Sequence, residues 1–474
     1  MSSRSSGLNL KAHGKATQGV KTLLGNPKKA IFKLSIPMII AMSVQTVYNL
    51  ADTIWVSGLG QDALTSVGIF FPFFFLIMAL AAGLGIGGGA AISRRIGARD
   101  KKGADNVADH MIILMTAVAL IFTVPTFLVL PGIFDLMTEK VVSELATDYG
   151  RIIIGGSLII FFANNANAIL RSEGDTKRAM YAMVIGSALN IVLDPIFIYA
   201  LDLGVAGAAW ATMLSFSITA LILAYWLFFK KDTYVTFDLG NFKFKWSIFK
   251  DIMRVGAPAS LQQMSISIQM MILNIIVLAV DDRGVAIFTA GWRVTMIALL
   301  PLMGIATAVV AVAGAAYGER SYRKLKLSLY HAIRYGLIFA VIISVLIFLF
   351  APWIVIVFTW SEDSIHLRSH LVLFLRMFSV MNFFATFGML SGSAFQAIGK
   401  GFKSLLVTLF RTIIFALIFT ILFGLVLDWG LPGVWGGILL GNLLGASISY
   451  AWISLTIRRL IRKGEDPRIL EKYG

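Results

Sequence analysis

Two carboxylates lie within stretches of the sequence that are otherwise apolar. Asp52 falls in the run that begins near Ala30, and Asp194 falls in the run LNIVLDPIFI. An acidic side chain at membrane depth costs about 2.5 to 3.5 kcal/mol on insertion scales, so such residues usually face a cavity or a partner and mark an ion or proton path. The two positions therefore predict a site that binds a cation or a proton within a membrane.

Further polar side chains fall at a similar depth and share helix faces with the two carboxylates. Residues three or four apart lie on one face of a helix, which pairs Asn190 with Asp194 and Tyr48 with Asp52. Asp52 lies roughly six residues, or about 9 Å, from the outer end of its span. Asp194 and Thr212 are at comparable distances from the outer ends of theirs. We therefore expect three helices to bring carboxylate, amide and hydroxyl oxygens together, which suits either a hard cation or a proton.

The composition requires these helices to cross a membrane. Hydrophobic residues make up 58% of the 474 residues, charged residues only 14%, and the mean hydropathy is +0.83. Apolar runs recur from about residue 30 to about residue 460, which at about 20 residues per crossing predicts roughly twelve helices. We expect an all-α membrane protein, because helices satisfy their own backbone hydrogen bonds in lipid.

The net charge of +16 follows the membrane topology and does not indicate nucleic-acid binding. Lys and Arg concentrate in every second loop, which is the positive-inside pattern. We therefore expect a multi-pass protein of the cell membrane with both termini in the cytoplasm. Residues 1–29 are polar and basic without an apolar run, so we expect a disordered tail there and no cleavable signal peptide.

The sequence repeats itself weakly along its length. Pro37 aligns with Pro258, and at the same shift three further pairs align. These pairs are Gly83 with Gly304, Gly97 with Gly318, and His110 with His331. Each copy holds about six crossings, an even number, so the two copies enter the membrane in the same direction. We expect two parallel six-helix lobes, related by a pseudo-twofold axis along the membrane normal.

The repeat sets the predicted domain limits. Besides the tail, these are an N-terminal lobe at 30–229, a cytoplasmic loop at 230–250, a C-terminal lobe at 251–463 and a tail at 464–474.

Prolines within two spans predict helix hinges. Pro195 directly follows Asp194 and has no N–H to donate to the helix, which frees a carbonyl near Ile191, and Pro37 has the same effect in the first span. The second copy has no carboxylates at the equivalent positions. Its polar residues within the spans are Gln262, Gln263, Gln269, Asn274, Arg293, Arg376 and Arg411. We therefore expect the cation site in the first half alone, while the polar residues of the second half serve either substrate contacts or helix packing.

For two motif-like patterns we do not expect the function that the pattern would suggest. GLGIGG at 83–88 lies in an unbroken apolar helix with no preceding strand, which argues against nucleotide binding. HLRSH at 366–370 lacks the glutamate of a zinc hydrolase motif. We expect no organic cofactor, and the only coupling partner we expect is Na+ or H+.

Several ordered motifs resemble the multidrug and toxic compound extrusion (MATE) family of antiporters, and more closely its prokaryotic DNA-damage-inducible branch. They are PMIIAMSVQTVYNLADTIWV, RRIGARDKKGAD, ILRSEGDTKRAM, and LNIVLDPIFI followed by LGVAGAAWAT. The resemblance covers roughly residues 25 to 463. It implies a V-shaped pair of lobes that exports amphipathic, often cationic, organic compounds, driven by entry of sodium or protons.

The resemblance also implies roles for individual residues. The family's cation site carries over onto Asp52, Asn190, Asp194 and Thr212, with a backbone carbonyl of Ala208; these would be the ligands if the ion is Na+. The surrounding network or substrate cavity would include Gln45, Tyr48, Asn164 and Asn167. For Asn164 and Asn167, helix packing is an equal alternative. The expected partners are drug-like small molecules and membrane lipid, with no nucleic acid and a monomeric state.

Other functions predict different features. A flippase for lipid-linked sugars, from the same superfamily, would need a basic cavity for a pyrophosphate, and the buried carboxylates speak against it. A membrane enzyme would need convergent catalytic groups at an interface, and a channel would need neither an internal repeat nor proline hinges. Product formation would favour the enzyme, and ohmic current without counter-flux would favour the channel.

Overall fold

The computed structural model describes residues 17–230, 232–360 and 362–464. Within these residues the chain is almost entirely helical and contains no β-strand. The apolar segments form helices because lipid offers no partner for backbone N–H and C=O groups. The helices of the first half are α1 (Gln18–Leu24), α2 (Pro27–Ser57), α3 (Gln61–Gly97), α4 (Lys101–Met137), α5 (Lys140–Gly155), α6 (Ser157–Ser172), α7 (Thr176–Pro195) and α8 (Gly204–Ala224).

The second half repeats this order. Its helices are α9 (Trp246–Val280), α10 (Gly284–Gly318), α11 (Tyr322–Ile356), α12 (Arg368–Ser379), α13 (Met381–Ala397), α14 (Gly401–Leu409), α15 (Ala416–Ile421) and α16 (Gly430–Arg462). Four π-helical segments lie at Ile196–Ala200, Tyr225–Phe229, Phe410–Phe415 and Leu422–Val426, and two 3-10 turns lie at Leu239–Asn241 and Glu362–Leu367.

Twelve membrane crossings result from these helices, as predicted. Ten continuous helices in the described part of the chain are long and apolar enough to span a membrane. Two bent pairs supply the remaining crossings: α5 and α6 meet at 47°, and Ser364–Ser379 meets α13 at 44°. Each half contributes six crossings, so the prediction of two six-helix lobes is confirmed.

The backbone confirms the internal repeat at points where sequence identity is weak. Residues with positive φ occur at equivalent positions of both lobes: Arg99 (59°) and Arg320 (56°), Gly174 (84°) and Gly399 (75°), Asp202 (53°) and Asp428 (50°). Packing repeats as well, since α3 packs along α9 while α10 packs along α2 and α3. This exchange of equivalent helices is what a pseudo-twofold axis requires.

The lobes pack together at one end and separate at the other. We call the end that carries the loops after α3, α6, α8 and α10 the basic face, and the opposite end the open face. At the basic face, one hydrophobic core includes residues of both lobes. Towards the open face, the buried residues form two separate cores, one in each lobe. The molecule is therefore V-shaped, with its cleft towards the open face.

Close helix contacts hold the basic face shut. A Cβ added at Gly97 would collide with Ala315, and one at Gly318 would collide with Arg94. The Arg94 guanidinium also donates to Asp251 at 2.7 Å and to the Ala397 carbonyl at 3.2 Å. These contacts join α3 to α9, α10 and the end of α13.

The ends of the predicted domains need correction. The expected disordered tail at 1–29 is wrong for residues 17–29, because they contain α1 and the start of α2. Asn26 caps α2 by accepting a hydrogen bond from the Lys28 N–H at 2.9 Å, and Pro27 occupies the first turn. Residues 1–16 and 465–474 lie outside the described residues. The loop predicted at 230–250 ends earlier, since α9 begins at Trp246.

Candidate functional site

Asp194 lies in the interior of the N-terminal lobe without a hydrogen-bond donor. Its exposed fraction is 0%, and no donor from the described residues reaches either carboxylate oxygen. It occupies the last turn of α7, directly before Pro195 and the π-helical segment Ile196–Ala200. Since buried polar groups are normally paired, two orphaned carboxylate oxygens indicate a site for a ligand.

Asp52 faces Asp194 from α2, which packs along α7. The two carboxyl groups lie close enough for the charge on one to act directly on the other. Oδ1 of Asp52 is buried and also has no partner among the described residues. The Tyr48 hydroxyl, one turn before Asp52, lies within the field of both carboxylates. The structure therefore brings together the carboxylates that the sequence analysis singled out.

Asn190 and Thr212 complete this group of polar side chains. Asn190 Nδ2 donates to Thr212 Oγ1 at 3.3 Å, which joins α7 to α8. Asn190 Oδ1 is buried and has no donor within the described part of the chain. Ala208, one turn before Thr212, is fully buried in the same lobe.

These donor atoms fit a hard cation or a proton. Asp194 offers two orphaned oxygens, and Asp52 and Asn190 each offer one more. Oxygen ligands are those that hard cations prefer, while a proton could be shared between two carboxylates. The described residues contain no cluster of three or more His, Asp or Glu side chains that would indicate another metal centre.

A cavity of about 360 Å³ lies between the lobes beside this group. Its wall includes the predicted residues Gln45, Tyr48, Asn164, Asn167, Asn190 and Thr212. Asp52, Asp194 and Ala208 do not form part of its lining as the structure describes it. The carboxylates therefore lie behind the cavity wall, and Tyr48 and Asn190 belong both to that wall and to the group of polar side chains around the carboxylates.

The C-terminal lobe contributes amides to the same cavity. Gln262, Gln263 and Gln396 line it, and Gln396 Nε2 donates to Gln262 Oε1 at 3.1 Å. The other polar residues predicted from the second half are not part of the described lining. These are Gln269, Asn274, Arg293, Arg376 and Arg411.

Two residues near the site were missed by the sequence analysis. Tyr149 on α5 is buried, and its hydroxyl interacts electrostatically with Asp52, Tyr48 and Asp194. Arg171, in the last turn of α6, lines the cavity. The motif ILRSEGDTKRAM contains Arg171, but its basic residues were assigned to a solvent-exposed loop.

The amides of Asn164 and Asn167 take part in helix contacts as well as lining the cavity. Asn164 Nδ2 donates to the Ile160 carbonyl and Asn167 Nδ2 to the Ala179 carbonyl, both at 3.0 Å. The bond from Asn167 links α6 to α7. Both alternatives given for these residues therefore have a structural basis.

The MatE family profile matches residues 37–196 and 258–422. The chain belongs to the MatE family. The two matched segments begin at the aligned residues Pro37 and Pro258, so each lobe carries one copy of the MatE unit.

Curated relatives of this MatE protein match over most of their length. It is 26% identical over 424 residues to the probable multidrug resistance protein NorM of Thermotoga maritima, covering 87% of this chain and 89% of the relative. It is 25% identical over 448 residues to the multidrug export protein MepA of Staphylococcus saprophyticus, covering 91% and 96%.

A solved MatE structure has the same fold. It is described as the outward-facing conformation of a multidrug resistance MATE family transporter of the MOP superfamily. The identity is 49% with a TM-score of 0.92, covering 94% of this chain and 100% of that chain. The family predicted from the motifs is thereby confirmed, while the DNA-damage-inducible branch stays a prediction.

Proposed function

We propose that this MatE protein is a secondary active multidrug efflux antiporter and not an enzyme. The observation that carries the proposal is the pair of buried carboxylates, Asp52 and Asp194, whose orphaned oxygens lie directly behind a cavity shared by both lobes. The relatives named as multidrug resistance and multidrug export proteins support drug-like small molecules as substrates, and the resemblance of the motifs adds that these are amphipathic.

The proposed mechanism is alternating access with competition between ion and substrate. In the conformation with the open cleft, Na+ or H+ enters from outside and neutralises the Asp52 and Asp194 pair. Neutralisation changes the contacts of α2 and α7 with the cavity wall, and the substrate leaves. The ion shifts the equilibrium only by its difference in affinity between the two conformations. Pro37 in α2 and Pro195 at the end of α7 are the proposed hinges.

The orientation in the membrane is part of the proposal. We place the basic face in the cytoplasm, because Lys and Arg concentrate there as the positive-inside rule expects. Both described chain ends lie on this face, since α2 begins there and α16 ends there. The V-shaped cleft then opens outward across the cytoplasmic membrane. The protein acts as a monomer surrounded by lipid and binds no nucleic acid.

Transport by the purified protein in liposomes tests the proposal. Loss of a preloaded cationic dye, rhodamine 123, is followed under a sodium gradient alone and then under a pH gradient alone. We expect export against the dye gradient under one of the two conditions, which also identifies the coupling ion. A rate of dye export that is the same with and without either gradient would rule out the antiporter. An ionic current that does not depend on the dye would favour a channel.

A further inference from the structure

We infer that Arg171 forms an anion-binding subsite in the central cavity, which takes a carboxylate or phosphate group of the substrate. The inference rests on the proposed function and adds a substrate class to it. Arg171 occupies the last turn of α6, at the end of the cavity towards the basic face. It places a positive charge in the wall of a cavity that cationic compounds are proposed to enter.

Arg171 has no anionic partner within the described part of the chain. Two other arginines of the basic face are paired: Arg94 donates to Asp251 at 2.7 Å, and Arg178 donates to both oxygens of Asp232 at 2.7 and 2.6 Å. No hydrogen bond or ion pair from the described residues engages the Arg171 guanidinium. A charge removed from bulk water needs such a partner, so the counter-charge is expected from what the cavity binds.

The nearest acidic residue in sequence, Glu173, is engaged elsewhere. Its Oε2 accepts hydrogen bonds from the backbone N–H groups of Tyr234 and Val235, at 2.8 and 3.0 Å. The charges that act on Glu173 come from Asp175 and Arg178. Arg171 is thus free to face the cavity.

The repeat shows that this charge is specific to one lobe. Gly174 and Gly399 are equivalent turn residues with positive φ, which makes Gln396 the counterpart of Arg171. Gln396 also lines the cavity, and it donates to Gln262. The second lobe therefore contributes uncharged amides to the lining of the same cavity, where they can hydrogen-bond to other polar groups of a bound compound.

Arg171 lies in the cavity wall at a different depth from the carboxylate pair, which lies behind the wall. Arg171 lies seven residues beyond Asn164 on the same helix, which corresponds to about 10 Å along the helix axis. The carboxylate pair lies behind Tyr48 and Asn190. A guanidinium binds a carboxylate or phosphate through two parallel hydrogen bonds. The geometry therefore favours amphipathic compounds that carry an anionic group, including those that also carry a cation.

A matched pair of dyes tests the subsite. Rhodamine 110 has a free carboxylate, and rhodamine 123 is its methyl ester, so the two differ only in that group. Binding of each dye to the purified full-length protein is measured by fluorescence polarisation, for the wild type, Arg171→Gln and Arg171→Lys. The control is Arg178→Gln, which removes a paired arginine of the same face that does not belong to the described cavity lining.

The expected change is in the relative affinity for the two dyes. Arg171→Gln should weaken rhodamine 110 binding roughly tenfold, as expected for losing a hydrogen-bonded ion pair. It should strengthen rhodamine 123 binding, because the repulsion of a cation is removed. Arg171→Lys should retain most of the preference for rhodamine 110 over rhodamine 123. Arg178→Gln should leave the ratio of the two affinities unchanged.

Other outcomes overturn the inference in distinguishable ways. An equal loss of affinity for both dyes in a folded Arg171→Gln protein would assign Arg171 a structural role. An unchanged ratio, with rhodamine 123 still exported under an ion gradient, would reject the subsite and leave the antiporter standing. Failure of the wild type to bind either dye would reject both proposals.

Discussion

Glu173 lies just beyond the last turn of α6, outside the membrane spans, and is 1% exposed. It accepts hydrogen bonds from the backbone N–H groups of Tyr234 and Val235. These bonds connect the loop between the lobes to the turn between α6 and α7. Burial raises the pKa of Glu173 to about 8, although the two N–H donors act in the opposite direction. At neutral pH the docked loop therefore covers a protonated carboxyl group.

This pKa predicts that the loop contact weakens in alkaline solution. With the loop bound to it (the docked state), Glu173 holds its proton more tightly than when the loop has detached. Protonation therefore stabilises loop docking at low pH, and this stabilisation is lost as the pH rises through about 8. Between pH 7 and 9 the undocking equilibrium should rise roughly tenfold. Hydrogen exchange of residues 233–238, corrected for intrinsic rates, measures this change.

Glu173→Gln is the matched variant for this prediction. A glutamine carbonyl accepts the same two N–H groups and does not titrate, so the corrected exchange should be independent of pH. Equal alkaline loss of protection in the variant and the wild type would show that Glu173 is not responsible.

At the scale of elements, the π-helical segments set the shape of α7 and its counterpart in the second lobe. The Ile196–Ala200 segment brings the Phe197 carbonyl against α8 at Gly207, where an added Cβ would lie 2.5 Å from the carbonyl oxygen. In the second lobe, a Cβ added at Gly433 would likewise lie 2.5 Å from the Phe423 carbonyl oxygen. Both lobes thus require glycine at this helix crossing.

Gly207→Ala should therefore destabilise the protein. The methyl group must displace backbone, and overpacking of this kind costs about 1 to 3 kcal/mol. We expect a lower midpoint in thermal unfolding for Gly207→Ala and, by symmetry, for Gly433→Ala. Gly436→Ala is the control, because a Cβ there meets nothing within 4 Å. Equal midpoints for Gly207→Ala and Gly436→Ala would contradict the close crossing.

The depth of the site residues along their helices could be predicted from the sequence, but the direction in which some side chains point could not. Counting residues from the span ends placed Asp52, Asp194 and Thr212 at one level, and the structure groups them. Tyr149 and Arg171 were missed, because their direction depends on the 47° bend between α5 and α6, which leaves no strong sequence signal. Pro195 indicated an irregular helix after Asp194.

The second lobe shows the limit of such local signals. The π-helical segment Leu422–Val426 contains no proline, so nothing in its own sequence predicts it. Likewise, α1 was assigned to a disordered tail because it is short and lies in a segment, residues 1–29, that is polar and basic overall. It is held by contacts that are distant in sequence, such as that between Gly19 and the turn at Gly174.

At the scale of the whole molecule, the two lobes are joined mainly at the basic face. The Arg94 and Asp251 pair crosses this interface at 2.7 Å, and only 10% of the Arg94 side chain is exposed. Removing one partner of a largely buried pair leaves an uncompensated charge, which is more costly than losing an exposed pair.

Asp251→Ala should therefore shift the protein towards conformations with a separated basic face. The chain has no cysteine, so spin labels attach only at introduced positions. Labels at Lys102→Cys and Lys326→Cys report the distance between the lobes at this face. We expect the longer distances to gain population roughly tenfold or more in Asp251→Ala.

The control for this shift is an exposed pair on the open face. Lys140 and Glu144 are 3.9 Å apart and 88% and 66% exposed, so Lys140→Ala should leave the distance distribution unchanged. Identical distributions in Asp251→Ala and the wild type would mean that the pair does not hold the lobes together.

The central claim is that Asp52 and Asp194 bind the coupling ion, and gradient-driven transport by amide variants tests it most directly. Wild type, Asp52→Asn, Asp194→Asn and the double variant are reconstituted at equal density, and rhodamine 123 export is measured under the gradient that drives the wild type. Since an amide cannot carry the negative charge, we expect the double variant to export no faster than empty liposomes. Wild-type export by the double variant under the same gradient would contradict the claim.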